Sequence, residues 1–251
     1  MRLKLIACKV LFREISLLAS QSTNIIDTTF LRQGLHNTPE RLRAILQAEI
    51  DRLDAQDDLY SFTAEDDEND FDAILLGYGL CSNAIVGLHS KRYRLVIPRA
   101  HDCVSFLLGS KDTYKKIFDA GSGGIYWYSV GWNENAVMPS RRRVDRLRAE
   151  YEEKYGEDNA EYLMEMEQAW MQEYKTCLYI DWAGLHSQEQ IDFTKDAATH
   201  LGWTYRQHAG DDALLRDFLS GEWDTERFLV VPPGDAVAQS YDETVICVDK
   251  A

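Results

Sequence analysis

Short, almost uncharged apolar runs separated by stretches of helical periodicity constrain this chain more than any other feature. "RLKLIA" (2–7), "NIIDTTFL" (24–31), "FDAILLGYGL" (71–80), "YRLVIPRA" (93–100) and "GGIYWYSV" (123–130) each suit one strand and are too short for a buried helix. Helical patterns fall between them, from about Val10 to Ser20, from Thr38 to Leu53 and over 103–121. Thr38 is the expected N-cap of the second of these, with Pro39 at its first helical position. Most of these runs are near-continuous rather than alternating. Strands of that kind are buried on both faces, as in a parallel sheet covered by helices.

The rhythm resumes later in the chain. "TCLYID" (176–181), "WTYRQHA" (203–209), "RFLVVPPGD" (227–235) and "ETVICVDK" (243–250) read as strands, with helices over Ser187–Leu201 and Asp212–Leu219. Residues 139–174 differ: they are charged, strongly helical and expected to break near Gly156. Five arginines between 141 and 148 could grip an anion, but the carboxylates that follow favour a self-paired, solvated helix. The expected architecture is α/β, with two Rossmann-like lobes of mainly parallel sheet. The lobes would span 1–138 and 175–251, joined by a charged helical insert over 139–174. One continuous sheet is the alternative, and no internal repeat is visible.

Charge narrows the partners. Lys plus Arg number 27 against 42 for Asp plus Glu, a net charge of −15, and such a surface repels a phosphate backbone. Nucleic acid is therefore not expected as a partner. Neither is a membrane: Ala73–Ser90 is uncharged and long, but its glycines, Ser82 and Asn83 suggest a buried strand, a turn and a short helix. The apolar run near the N-terminus is too short for a signal peptide and is interrupted by Lys9. Five cysteines, an odd count, suggest free thiols in a reducing compartment, and a cytoplasmic location is expected. The run 57–72 carries eight carboxylates and no basic residue, and reads as a solvated loop.

Chemistry concentrates at three strand ends. Cys8 closes the first strand, Cys81 the third, and Cys103 follows the fourth in "LVIPRAHDCVSF". In open parallel sheets, ligands bind beyond the carboxyl ends of the strands. Each cysteine also precedes an expected helix, whose free N–H groups favour a thiolate. His101 lies two residues from Cys103, so both can face one ligand. Three thiolates and an imidazole match a tetrahedral zinc site; three ligands alone leave a position open for substrate. Asp102 can cap the following helix or support the site from behind. Cys177 and Cys247 sit inside apolar strands and read as packing. His36, His89, His186, His200 and His208 lack patterned neighbours and read as surface residues.

These segments also carry a resemblance. "KLIACKVLFREI", "LLGYGLCSNAIVGL", "VIPRAHDCVSFLLGSK" and "YWYSVGW" resemble the segments that define domain-of-unknown-function family 1638, and "LYIDWAG", "LLRDFLSGEWD" and "FLVVPPGD" continue the likeness. Members of that family are similar to proteins encoded near corrinoid-dependent methylamine and quaternary-amine methyltransferases in anaerobes. The resemblance thus implies one-carbon metabolism and a corrinoid protein as a partner. His101-Asp102-Cys103 is also similar in form to the His-x-Cys pair of zinc methyltransferases that alkylate thiol coenzymes. Those enzymes are (β/α)8 barrels, so that likeness extends to ligand type alone.

The resulting expectation is a zinc-dependent methyltransferase acting on a small thiol or methylated amine. Cys8, Cys81, Cys103 and His101 are its metal ligands, with His101 and Asp102 as catalytic groups. Tyr126, Trp127, Tyr128 and Trp132 could cage a methylated ammonium through cation–π contacts, although alternating aromatics more often fill a core. Asp181 and the Pro232-Pro233-Gly234-Asp235 turn follow strands and could face the same cleft. Two alternatives remain open: a [4Fe-4S] cluster with one open iron, and a non-catalytic accessory or binding protein for a corrinoid methyltransferase system.

Overall fold

The computed structural model describes residues 1–56, 70–121 and 124–250. Most of the acidic run expected as a loop, 57–69, lies outside the described residues. The chain divides into two compact units, Met1–Thr113 with Asp211–Ala251, and Tyr114–Gly210.

The first unit begins with β1 (Arg2–Cys8), a short 3-10 turn and α1 (Phe12–Gln21). It continues through β2 (Ile25–Leu31), α2 (Pro39–Asp54), β3 (Ala73–Gly77) and β4 (Leu95–Pro98). Leu3, Leu5, Ile6 and Ala7 of β1, Ile74–Leu76 of β3 and Leu95–Ile97 of β4 are fully buried. Burial on both faces is the cause of their unbroken apolar sequence. Each such side chain contributes about 1.5–3 kcal/mol relative to exposure. Lys4, buried inside β1, is accommodated by its register partner Asp27 on β2, with Nζ 2.9 Å from Oδ2.

The helix expected over 103–121 is two helices, α3 (Val104–Leu107) and α4 (Lys111–Ala120). Gly109 between them has φ +74°, and a Cβ there would lie 2.5 Å from the Asp211 carboxyl carbon. Thr38 occupies the N-cap of α2 as expected, but its side chain makes no capping hydrogen bond.

The second unit holds β5 (Ile125–Tyr128), α5 (Val130–Asn135), α6 (Arg141–Tyr155) and α7 (Glu157–Gln168). It ends with β6 (Thr176–Asp181), α8 (Gln188–Leu201) and β7 (Thr204–Ala209). Strands β5, β6 and β7 form a parallel sheet in that order. The charged helices break at Gly156, which has φ +81°. No residue of α6 is buried, and Arg143 of α6 pairs with Glu167 of α7, so the solvated, self-paired character expected of this segment is present.

The last segment returns to the first unit as α9 (Ala213–Ser220), β8 (Phe228–Val231), β9 (Ala236–Gln239) and β10 (Ile246–Asp249). The five-stranded sheet has the order β2-β1-β3-β4-β8, with β8 antiparallel to β4 and the others parallel. β9 and β10 form a separate antiparallel pair. The protein is thus α/β with mainly parallel sheets. The unit boundaries differ from the expected 1–138, 139–174 and 175–251: β5 pairs with β6, and β8 crosses back to pair with β4. Among the described residues, no helix is long and apolar enough to cross a membrane.

Candidate functional site

Strand order locates the crevice. From β1 the chain runs through α1 to β2 on one side, then through α2 to β3 on the other. The order therefore reverses between β1 and β3, and ligands bind outside the carboxyl ends at such a switch point. Cys8 is the last residue of β1, whose Ala7 pairs with Gly77, the last residue of β3. Tyr78 to Cys81 continue from β3. They are laced to the segment after β4 by Leu80 N–H donating to the Ala100 carbonyl at 2.8 Å and Cys81 N–H to the His101 carbonyl at 3.1 Å. Cys103 follows immediately and is the N-cap of α3.

Two glycines permit this approach. A Cβ on Gly77 would lie 2.6 Å from the Ala7 Cβ, and one on Gly79 would lie 2.8 Å from both Ala100 O and Asp102 N. Between them Tyr78 is held with only 3% of its surface exposed, and among the described residues its hydroxyl has no hydrogen-bond partner. A buried hydroxyl without a partner is costly, on the order of 1–3 kcal/mol. Burial raises the Tyr78 pKa, and the charges that Cys8, Cys81 and Cys103 would carry raise it further. Strand register and the hydrogen bonds of Leu80 and Cys81 gather Cys8, Tyr78, Cys81 and Cys103 at the carboxyl ends of the adjacent strands β1, β3 and β4.

The thiols are held protonated. Burial pushes Cys81 up to about 12, with Cys8 and Asp102 adding to the rise. Burial also raises Cys103 well above the usual thiol range, and Cys8, Asp102 and Cys81 act in the same direction. At Cys8 burial again dominates, opposed by hydrogen bonds from the Val10 and Lys9 N–H groups at the start of the helix. Among the described residues, no three His, Cys, Asp or Glu side chains already stand in metal-holding geometry.

The short helix expected after β3 does not form. Cys81, Ser82 and Asn83 are consecutive non-glycine residues at φ +47°, +57° and +65°. Left-handed backbone costs roughly 1–2 kcal/mol per residue, and such strain collects at ligand sites. The turn is held by Arg43, whose Nη2 donates to the Asn83 carbonyl at 2.7 Å. Ser82 is exposed, so Ser82→Gly isolates the strain. It is expected to stabilise the protein by about 0.5–1 kcal/mol in urea unfolding, after allowance for glycine's greater freedom when unfolded. A destabilised variant would show that the turn carries no strain.

Asp102, the residue before the N-cap of α3, accepts at Oδ1 from Val104 N–H at 3.0 Å, and its carboxyl is pushed up mainly by burial. His101 is exposed. Its carbonyl, rather than its ring, meets Cys81, and its charge acts on the Asp102 carboxyl.

The expected aromatic residues and Asp181 belong to the second unit, whereas the Pro232-Pro233-Gly234-Asp235 turn belongs to the first. Tyr126 and Tyr128 share a face, with ring centroids 5.7 Å apart. Tyr128 is fully buried and donates to the Pro139 carbonyl at 2.9 Å. Tyr126 lies 5.1 Å from Tyr174 and 6.1 Å from Trp203, and Trp132 packs against the same core. Trp127, one residue out of phase, points to the opposite face and stacks on Tyr114 at 5.4 Å. Strand alternation thus prevents 126, 127 and 128 from forming one cage, and their packing is that of a core. Asp181, at the end of β6, has Oδ2 2.8 Å from His186 Nδ1 and 3.0 Å from Gln207 Nε2. His186 is exposed, as expected, and is paired with that carboxylate. Cys177 is buried and Cys247 contacts the Gln239 carbonyl at 3.7 Å; both are free thiols in packing roles.

Sequence reasoning missed Tyr78, Arg43 and the Asp181–His186 pair. The Gly-Tyr-Gly triplet at 77–79 was the available signal for Tyr78, because glycines on both sides of one aromatic mark close backbone approach.

The family model described as "Protein of unknown function (DUF1638)" matches residues 30–219. The match takes in Cys81 and Cys103, while Cys8 and the "FLVVPPGD" segment fall outside it, so it is shorter than the resemblance suggested. No curated protein and no solved structure matches the chain. The thiol crevice and the fold described above are therefore features of a chain that belongs to the domain-of-unknown-function family 1638.

Proposed function

We propose that the crevice at the carboxyl ends of β1, β3 and β4 is a zinc site and that the protein is a methyltransferase acting on a small thiol. The observation that carries this reading is the buried, unpartnered Tyr78 hydroxyl in the neighbourhood of three thiols at a topological switch point. Soft sulfur donors suit zinc, and a neutral phenol can donate its hydrogen bond once a sulfur becomes thiolate.

Cys8, Cys81 and Cys103 would hold the ion. Zinc held there would supply Lewis acidity, lowering the pKa of a coordinated thiol so that it stays a nucleophilic thiolate. The chain's own groups do the rest. The Tyr78 hydroxyl donates to a thiolate, and Asp102 fixes the start of α3 so that Cys103 is held in place. His101, exposed at the rim, accepts the proton released by the incoming substrate thiol. In the transfer itself a carbon–sulfur bond forms while a carbon–nitrogen bond of a methylated ammonium donor breaks. The nitrogen keeps the bonding pair and leaves as an uncharged amine, which takes up a proton from solvent at neutral pH. A corrinoid protein as a partner and a cytoplasmic setting belong to the same proposal.

Elemental analysis of anaerobically purified protein tests it. About one zinc per chain is expected, lost in Cys81→Ser and in Cys103→Ser while far-ultraviolet circular dichroism stays unchanged. The zinc-loaded protein should then methylate a thiol in the presence of a quaternary ammonium donor, read by mass spectrometry. Brown protein with visible absorption would replace zinc by a [4Fe-4S] cluster. A folded wild type that neither contains nor takes up metal would overturn the site.

A further inference from the structure

We infer that the α6–α7 hairpin of the second unit is a self-association surface, on which a second copy of this chain docks with its own hairpin antiparallel. Gly156 alone links the two helices, and the Arg143–Glu167 pair joins their far ends, so α6 and α7 run antiparallel to each other. Ala160 and Met164 are the buried residues of α7. Tyr162 and Met166 follow each of these by two positions, about 200° round the helix, and are 63% and 60% exposed. Trp170, four residues further on, is 36% exposed and lies beside the Arg143 guanidinium at 5.7 Å. The three make an apolar stripe along the outer side of the hairpin. Large apolar side chains exposed in a row, rather than singly, mark a surface that another protein covers.

The charges around the stripe identify that protein. The end away from Gly156 carries the five arginines of 141–148, opposed by Asp145, Glu165 and Glu167. The end at Gly156 carries six carboxylates, Glu150, Glu152, Glu153, Glu157, Asp158 and Glu161, against Lys154. Among the described residues, Arg143–Glu167 is the hairpin's one ion pair. Arg141, Arg142, Arg146 and Arg148, and likewise Glu157, Asp158 and Glu161, have no ion-pair partner there, and all seven are exposed.

A two-fold axis through Met166 sets one stripe on another with the hairpins antiparallel. Each basic end then meets an acidic end, twice over. Parallel docking would bring arginines against arginines, which like-charge repulsion opposes. A uniformly acidic or basic partner would be attracted at one end and repelled at the other. A patch that complements itself under a two-fold rotation is what an isologous dimer uses. Helices of 15 and 12 residues are about 20 Å long, and two of them packed 8–10 Å apart present a face of roughly 400 Å². That is about half the area per partner of a standard interface, so a weak dimer is expected, with Kd on the order of 10–100 μM.

Sedimentation velocity of the full chain, from about 5 to 500 μM, tests the assignment. Concentration-dependent dimerisation is expected, weakened at least tenfold in Met166→Glu and in Arg141→Glu/Arg142→Glu. Adding Glu157→Arg/Asp158→Arg to the latter chain restores opposite charge at both ends, so the fourfold variant should dimerise as the wild type does. All five positions are exposed, and circular dichroism checks that the fold is kept. Because the axis passes through Met166, Met166→Cys should crosslink to its own copy under mild oxidation, above the wild-type background, and Glu157→Cys should not. A chain that stays monomeric throughout, or a dimer undiminished in Met166→Glu, would overturn the surface. Charge reversal without effect, or crosslinking of Glu157→Cys instead, would overturn the antiparallel docking.

Discussion

At the proposed zinc site, affinity is expected to fall about a thousandfold for each unit that pH drops below 8. The reason is proton bookkeeping at three thiols. In the metal-free protein burial raises Cys8, Cys81 and Cys103, with Cys81 pushed up to about 12, so all three carry protons at neutral pH. Zinc binds thiolate, so loading releases those protons. The bound state holds three fewer protons than the free state, and by linkage affinity rises with pH until the lowest of the thiol pKa values is reached. Each displaced proton contributes a factor of about ten per pH unit, and three give about a thousand. Competition with a chelator of known proton affinity, at several pH values between 6 and 8, measures the slope. A slope near three supports sulfur from all three positions. A slope of one or less would mean that at most one thiol loses its proton to the ion, and the three-cysteine site would be wrong.

A second large effect is expected from Gly79→Val. The Cβ of any side chain there would stand 2.8 Å from Ala100 O and Asp102 N and 2.9 Å from the His101 carbonyl carbon. These are backbone atoms and cannot rotate away. Either the segment after β3 or the segment after β4 must shift, and the hydrogen bonds from Leu80 and Cys81 to Ala100 and His101 are strained in consequence. Overpacking of this kind costs about 1–3 kcal/mol, and the branched side chain together with two strained hydrogen bonds brings the expected loss to about 3 kcal/mol or more. For a chain of this size that is a fall in Tm of roughly 6–12 °C. The same displacement parts Cys81 from Cys103, so the variant should also lose zinc. Melting within a degree of wild type would show that the two segments do not approach as described. Retained zinc in a destabilised variant would separate the close approach from the metal site.

The positions of the three cysteines show how much could be read without a structure. Each closes or follows an apolar run whose length and lack of alternation already specify a buried strand, so placing Cys8, Cys81 and Cys103 at strand ends needed only local pattern. The same is true of the break at Gly156 and of helices α2 and α8. Tyr126, Trp127 and Tyr128 are a different case. Period-two alternation was present in the sequence and already put Trp127 on the face opposite its neighbours, against a single cage. Asp181 and His186, five residues apart across a turn, gave no local signal of pairing.

The amino-acid sequence by itself determined the class of fold, the identity of the strands other than β9 and the three thiols at their ends, because these follow from side-chain hydrophobicity over windows of a few residues. Only the tertiary structure decided that β8 returns antiparallel beside β4, which moves 211–251 into the first unit. A fully buried strand has the same composition whichever way it pairs, and this contact spans more than a hundred residues of chain. Tertiary structure alone also set the left-handed turn at Cys81–Asn83 and the unpartnered Tyr78 hydroxyl. No residue in that turn favours such backbone strongly enough to announce it. It is imposed by Arg43 and by the close passage of 100–102 against Gly79, forces that exist only once distant segments have met.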